Sequence, residues 1–198
     1  HVPCNTCHYC LNGCHTVCDT LRTTNFYPGG FAEYIRVPKI NVNRGTFILP
    51  KEISFEEGVF IEPLACVLRG QRLAKLRLGQ SVFVIGSGIS GILHIALARA
   101  SGAGRVIASD INEYRLKSAK RFGADEVLSG EEVSPERIRG INHGRLADLV
   151  IVCAGSLQAY RQALECVDRG GTVLCFGLLQ PEIDISFPFF DFWNDGIT

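Results

Sequence analysis

From Gln80 onward, apolar positions alternate between two rhythms. The run VFVI at 82–85 is continuously apolar, as in a strand covered on both faces. Ile89, Ile92, Leu93, Ala96, Leu97 and Ala100 follow at helical spacing. The pattern then repeats. Strands are predicted over 105–110 (RVIASD), 125–129 (DEVLS), 147–155 (ADLVIVCAG) and 171–177 (GTVLCFG). Helices are predicted over 114–122, 135–140 and 156–167, the last with Ser156 as N-cap. Strands and helices alternating at this spacing imply right-handed crossovers and a parallel, doubly wound α/β sheet.

Residues 1–50 read differently. They are loop-rich, with one strand expected over 31–37 (FAEYIRV) after the turn YPGG. A helix is expected to begin at Ser54, where Ser54 and Glu57 form a capping-box pattern, and to run to about Leu76, interrupted or restarted at Pro63. This suggests three regions: 1–70, 71–185 and a short aromatic tail, 186–198.

Composition narrows the class. The 198 residues are 46% hydrophobic and 20% charged with zero formal net charge, so a soluble core-forming chain is expected and neither nucleic acid nor a membrane as partner. The most apolar window, 82–100, contains three glycines, His94 and Arg99, and reads as a strand and a helix rather than a span. The chain begins at His1 and has no methionine, so it is expected to be a piece of something longer.

Gly86, Ser87, Gly88, Ile89, Ser90 and Gly91 form a G-x-G-x-x-G that leaves an apolar strand and enters a helix. Gly86 permits the tight turn, Gly88 the approach of a pyrophosphate, and Gly91 the close packing of helix and strand. The helix N-terminus offers free N–H groups to phosphate. Asp110, at the end of the second strand, is placed to accept hydrogen bonds from a ribose, with Ile111 and Arg115 beside it. Its charge favours NAD over NADP. Asp110 is alternatively an N-cap for the following helix. Ala154, Gly155, Phe176 and Gly177 end the fourth and fifth strands and are expected to line the nicotinamide half.

Nine cysteines, an odd number without a secretory signal, argue against a disulfide framework. Cys66, Cys153, Cys166 and Cys175 lie in apolar segments and are expected to be buried. The other five crowd into residues 4–18. Cys4, Cys7, Cys10 and Cys14 match the ferredoxin spacing C-x2-C-x2-C-x3-C. Cys4, Cys7, Cys10 and Cys18 match a compact four-thiolate zinc site. Zinc is favoured, because Cys14 is followed by His15 rather than proline, no second cysteine run exists, and Gly13 lies where a turn around the metal would be needed.

Taken together, VPC-x2-C-x2-C-x2-G-x4-C at 2–18, GGFAEY at 29–34, EPLAC at 62–66, the glycine loop and Asp110 resemble the zinc-dependent medium-chain dehydrogenases, in their sorbitol and threonine dehydrogenase branch. The resemblance implies that residues 1–70 are part of a GroES-like, β-rich catalytic domain with a structural-zinc lobe, and that 71–185 are a Rossmann NAD-binding domain. It implies structural zinc on Cys4, Cys7, Cys10 and Cys18, with Cys14 a bystander. It places Glu62 at a catalytic zinc, as ligand or just behind one. That zinc's first cysteine and a Gly-His-Glu motif lie upstream of the lobe in the family, so activity is expected of a longer parent. The expected reaction is hydride transfer between NAD and a secondary alcohol: a polyol, sugar alcohol or amino alcohol. The alternative is a non-catalytic NAD- and zinc-binding member. A cytoplasmic homodimer or homotetramer is the expected setting. His94 is expected to pack or sit half-exposed in its helix, and His8, His15 and His143 carry no assigned role.

Overall fold

The computed structural model describes residues 1–198. They form two compact units, 1–54 and 55–198.

The smaller unit is built from short pieces: α1 (His8–Leu11), a 3₁₀ turn (His15–Val17), α2 (Asp19–Thr23) and α3 (Lys39–Gly45). The strand expected over 31–37 does not form. Tyr27 and Arg36 exchange both backbone hydrogen bonds, at 3.1 and 2.7 Å, and this single antiparallel bridge is all the pairing in the unit. Phe31 and Tyr34 project into solvent, so no buried face holds the segment to a second strand. The β-rich character expected here is therefore absent. Cys10 and Cys18 are its only buried hydrophobic residues, which is too little for an apolar core.

The larger unit opens with α4 (Phe55–Gly58) and α5 (Ile61–Leu73). The expected helix is thus two helices. Pro63 lies in the first turn of α5, where its missing N–H costs no intrahelical bond. The division between units falls after Ser54 rather than at residue 70, because α5 packs on the first helix of the sheet domain.

That domain comprises β1 (Ser81–Ile85), α6 (Ile89–Ala100), β2 (Arg105–Asp110), α7 (Glu113–Arg121), β3 (Glu126–Ser129), α8 (Pro135–Ile141), β4 (Ala147–Val152), α9 (Leu157–Cys166), β5 (Val167–Cys175) and α10 (Phe189–Asn194). All five strands are parallel, in the order β3-β2-β1-β4-β5. Phe83, Ile85, Ile107 and Val150 face a core containing Ile138, Ala159 and Ala163. Val82, Val84, Val106 and Ile151 face a second core with Ile95, Ala98 and Ala119. Two buried faces explain the unbroken apolar runs. β5 starts earlier than expected and ends at Cys175, because Phe176 and Gly177 both donate to the Val152 carbonyl and end the ladder. The aromatic tail is not separate. Phe192 enters the core, and Thr198 donates to Gly171 O (3.1 Å) while accepting from Val173 N (2.8 Å). No helix is long and apolar enough to cross a membrane.

Candidate cofactor cleft and four-cysteine cluster

β1 leads one way to β2 and the other way to β4, and a cleft of about 350 Å³ opens at the carboxyl ends of these strands. Gly86, Gly88, Asp110, Ile111, Arg115, Ala154 and Gly155 all line it, so the structure brings together most of the expected residues. The glycines act by what they lack. A Cβ on Gly91 would lie 1.9 Å from the Gly86 carbonyl oxygen, and one on Gly86 2.9 Å from Ala154 N, at φ +93°. Gly88 has no atom within 4 Å of its missing Cβ. It lines the cleft and serves as the N-cap of α6 with no capping side chain, so the first N–H groups of α6 are left without a side-chain cap beside the cleft. Ser90 is half-buried in that first turn, whereas Ile89 is exposed beside Tyr114 and Phe122, outside the cleft.

Asp110 is almost wholly buried and does two jobs. Its Oδ2 accepts from Ser87 N (2.7 Å), tying the glycine loop to β2, and its Oδ1 accepts from Asn112 N (2.9 Å). The helix cap is Asn112, which accepts from Arg115 N at 3.2 Å, so Asp110 is not the N-cap of α7. The Arg115 guanidinium lies 3.8 Å from Asp110 Oδ2 and is half-exposed at the cleft mouth. Ser87 is spent internally, donating its hydroxyl to Ser109 O (3.2 Å). Phe176 and Gly177 do not line this cleft. Gly177 is pressed against Cys153 and Ala154, where a Cβ would come within 2.9 Å of backbone, and the Phe176 ring turns into the core.

In the smaller unit, the sulfurs of Cys4, Cys7, Cys10 and Cys18 all lie within 4.8 Å of one another. Cys7 and Cys10 are 3.5 Å apart, and Cys4 and Cys10 are 4.0 Å apart. A tetrahedral zinc with four thiolates at about 2.3 Å needs sulfurs about 3.8 Å apart, so the set fits. Gly13 makes the turn, at φ +77°. Cys14 is exposed and directs its thiol to Asn12 O, so the ferredoxin spacing is not realised in space. Hydrogen bonds from Thr6, and then from the Cys7 backbone, hold the Cys4 thiol down to about 5. Backbone donors at Cys4 and Leu21 lower Cys18. Burial, with Cys7, pushes Cys10 up to about 12, so metal binding there must displace a proton.

Glu62 is exposed in the first turn of α5, and the Cys66 thiol donates to its Oε1 at 3.2 Å. Cys66 is therefore exposed rather than buried, and the Glu62 carboxylate raises its pKa. No third ligand-type side chain joins the pair. Cys175 is likewise exposed and Cys153 half-buried, so among these four thiols only Cys166 is fully buried as expected.

The family profile for zinc-binding dehydrogenases matches residues 90–198. The chain belongs to the zinc-binding dehydrogenase family. It is 32% identical to the sorbitol dehydrogenase of Bacillus subtilis, an alignment covering 95% of this chain and 53% of that enzyme. The chain thus spans about half the length of the curated relatives it matches. Among solved structures, an alcohol dehydrogenase from Thermus sp. ATN1 superposes with a TM-score of 0.87 at 30% identity, covering all of this chain and 58% of that one. A zinc-binding dehydrogenase from Sinorhizobium meliloti, bound to NADP, superposes with a TM-score of 0.84 at 29% identity, covering 99% and 57%.

The cleft of this family member is also lined by Ile85, Ser109, Gly130, Cys153, Ser156, Gln158, Ala159 and Gln162, none of which the sequence alone placed there. Among them, Gln162 Nε2 donates to Gly130 O at 2.7 Å. The signal was a polar residue at a core position: Gln162 is buried between Ala159, Ala163 and Cys166.

Proposed function

We propose that the protein is a zinc- and NAD-dependent oxidoreductase of secondary alcohols, acting on a polyol, sugar alcohol or amino alcohol as part of a longer chain. The observation that carries this reading is the cleft at the strand-order reversal, which joins the glycine loop and uncapped α6 N-terminus to the Asp110 carboxylate. In this reading the free N–H groups of α6 bind the pyrophosphate, and Asp110 binds the adenosine ribose, with Arg115 packing alongside. The buried Asp110 charge disfavours the additional phosphate of NADP, so NAD is preferred. Cys4, Cys7, Cys10 and Cys18 hold a structural zinc that stabilises the smaller unit. NAD, when bound, supplies the hydride acceptor. Glu62 stands at or just behind the catalytic zinc of the longer chain; Glu62 and Cys66 alone provide fewer than the three protein ligands that a catalytic zinc takes, so the other ligands come from the rest of that chain. The likeness to a sorbitol dehydrogenase supports the alcohol class.

Titrating the protein with NADH and NADPH, followed by a panel of secondary alcohols with NAD and the whole enzyme, tests the reading. NADH binding ahead of NADPH, with oxidation of at least one polyol or amino alcohol, is the expected result. No binding of either nucleotide to folded protein would sink it. NADH binding without turnover of any alcohol would favour a non-catalytic NAD- and zinc-binding protein.

A further inference from the structure

Of the four buried polar atoms in the larger unit without a hydrogen-bond partner, two, His94 Nε2 and Gln71 Oε1, belong to one cluster. His94 is fully buried on the core side of α6. Gln71 of α5 turns its carboxamide onto it. The Nε2 donates to the His94 carbonyl at 2.8 Å and lies 3.2 Å from the ring Nδ1. A carbonyl only accepts, so the NH₂ end of the carboxamide faces α6. Nδ1 is therefore the acceptor, and the neutral ring carries its proton on Nε2. What that ring meets is Phe176, edge to face, with centroids 4.6 Å apart and planes at 88°. On the other flank, Gly70 lies so close that a Cβ there would come within 3.4 Å of the Phe176 ring and 3.2 Å of Leu174. The α5–α6 pair thus forms a slot for one ring.

Phe176 is the first residue past β5. Its N–H donates to Val152 O at 3.0 Å, and the Gly177 backbone packs on Cys153 and Ala154 at the end of β4. The turn between Phe176 and Gly177 is held from one side by the end of β4 and from the other by the seated ring. We propose that His94 and Gln71 are positioning residues for the nicotinamide half of the cofactor: they seat the Phe176 ring and so fix the chain after β5, which packs on Ala154 and Gly155 of the cleft, on the other side of β1 from Asp110. This rests on the NAD reading above. Asp110 and Arg115, on the adenosine side, make no contact with this slot.

Calorimetric titration with NADH and with ADP-ribose, which lacks the nicotinamide, separates the roles. His94→Leu is expected to weaken NADH about tenfold, the worth of one aromatic contact, while ADP-ribose binding stays within about twofold. Gln71→Met, which leaves the imidazole in place, is expected to act in the same direction and serves if His94→Leu does not fold. Nitrogen-15 NMR of the native protein is expected to show His94 as the Nε2–H tautomer. Equal losses for both ligands, no loss for either, or an Nδ1–H ring would overturn the proposal. If the native protein binds neither ligand, the NAD reading itself fails and takes the proposal with it.

Discussion

His94 and Asp110 show how a single side chain is set by what surrounds it. Burial holds the His94 imidazole down to about 4, against 6.5 when exposed, because the charged ring would lose its water. The unfolded chain therefore binds the extra proton more readily. Stability is complete above about pH 6.5 and is lost as pH falls toward 4. The loss assignable to His94 is at most about 3 kcal/mol. Denaturant titrations at pH 7 and 4.5 should show the native chain losing more stability than His94→Leu; equal losses would refute this. Sequence position makes Asp110 the expected ribose acceptor, but only the structure shows that it fastens Ser87 and Asn112. Asp110→Ala is expected to shift the ratio of NAD to NADP affinity toward NADP by about tenfold, and an unchanged ratio would remove Asp110 from the adenosine site.

The glycine loop was legible because its requirements are local: a strand, a tight turn and a helix start, each with a residue signature. Two of its glycines should nonetheless respond in opposite ways. Gly91→Ala drives a methyl into the Gly86 carbonyl and is expected to cost about 3 kcal/mol or more, read as a lower melting temperature. Gly88→Ala meets no protein atom and should leave the melting temperature nearly unchanged, while NADH binding falls if, as proposed, the open space at Gly88 holds the pyrophosphate. Equal thermal effects would contradict this account. Ser156 was likewise readable as a cap and accepts from Ala159 N at 3.2 Å. The segment at 31–37 misled because a run of FAEYIRV after the turn YPGG promised a strand. A strand needs a partner, and Tyr27 supplies one bridge only.

The two units should differ in what holds them together. Residues 55–198 bury two apolar cores, whereas 1–54 bury little beyond Cys10 and Cys18. Stripping zinc with a chelator is expected to open 1–54 to protease while 55–198 survives. About one zinc per chain should be lost in Cys18→Ser and retained in Cys14→Ser; retention in the first or loss in the second would overturn the ligand assignment. The alternating sheet, the glycine loop and the crowding of thiols follow from composition and spacing, because periodicity and turn chemistry act over a few residues. Which fourth cysteine joins the cluster was decided in space, where Cys18 folds back and Cys14 turns outward. So were the seating of Phe176 against His94, the place of Gln162 in the cleft and the exposure of Cys66. Each depends on contacts between residues far apart in the chain, or on which helix face meets the sheet, and neighbouring residues carry no record of that.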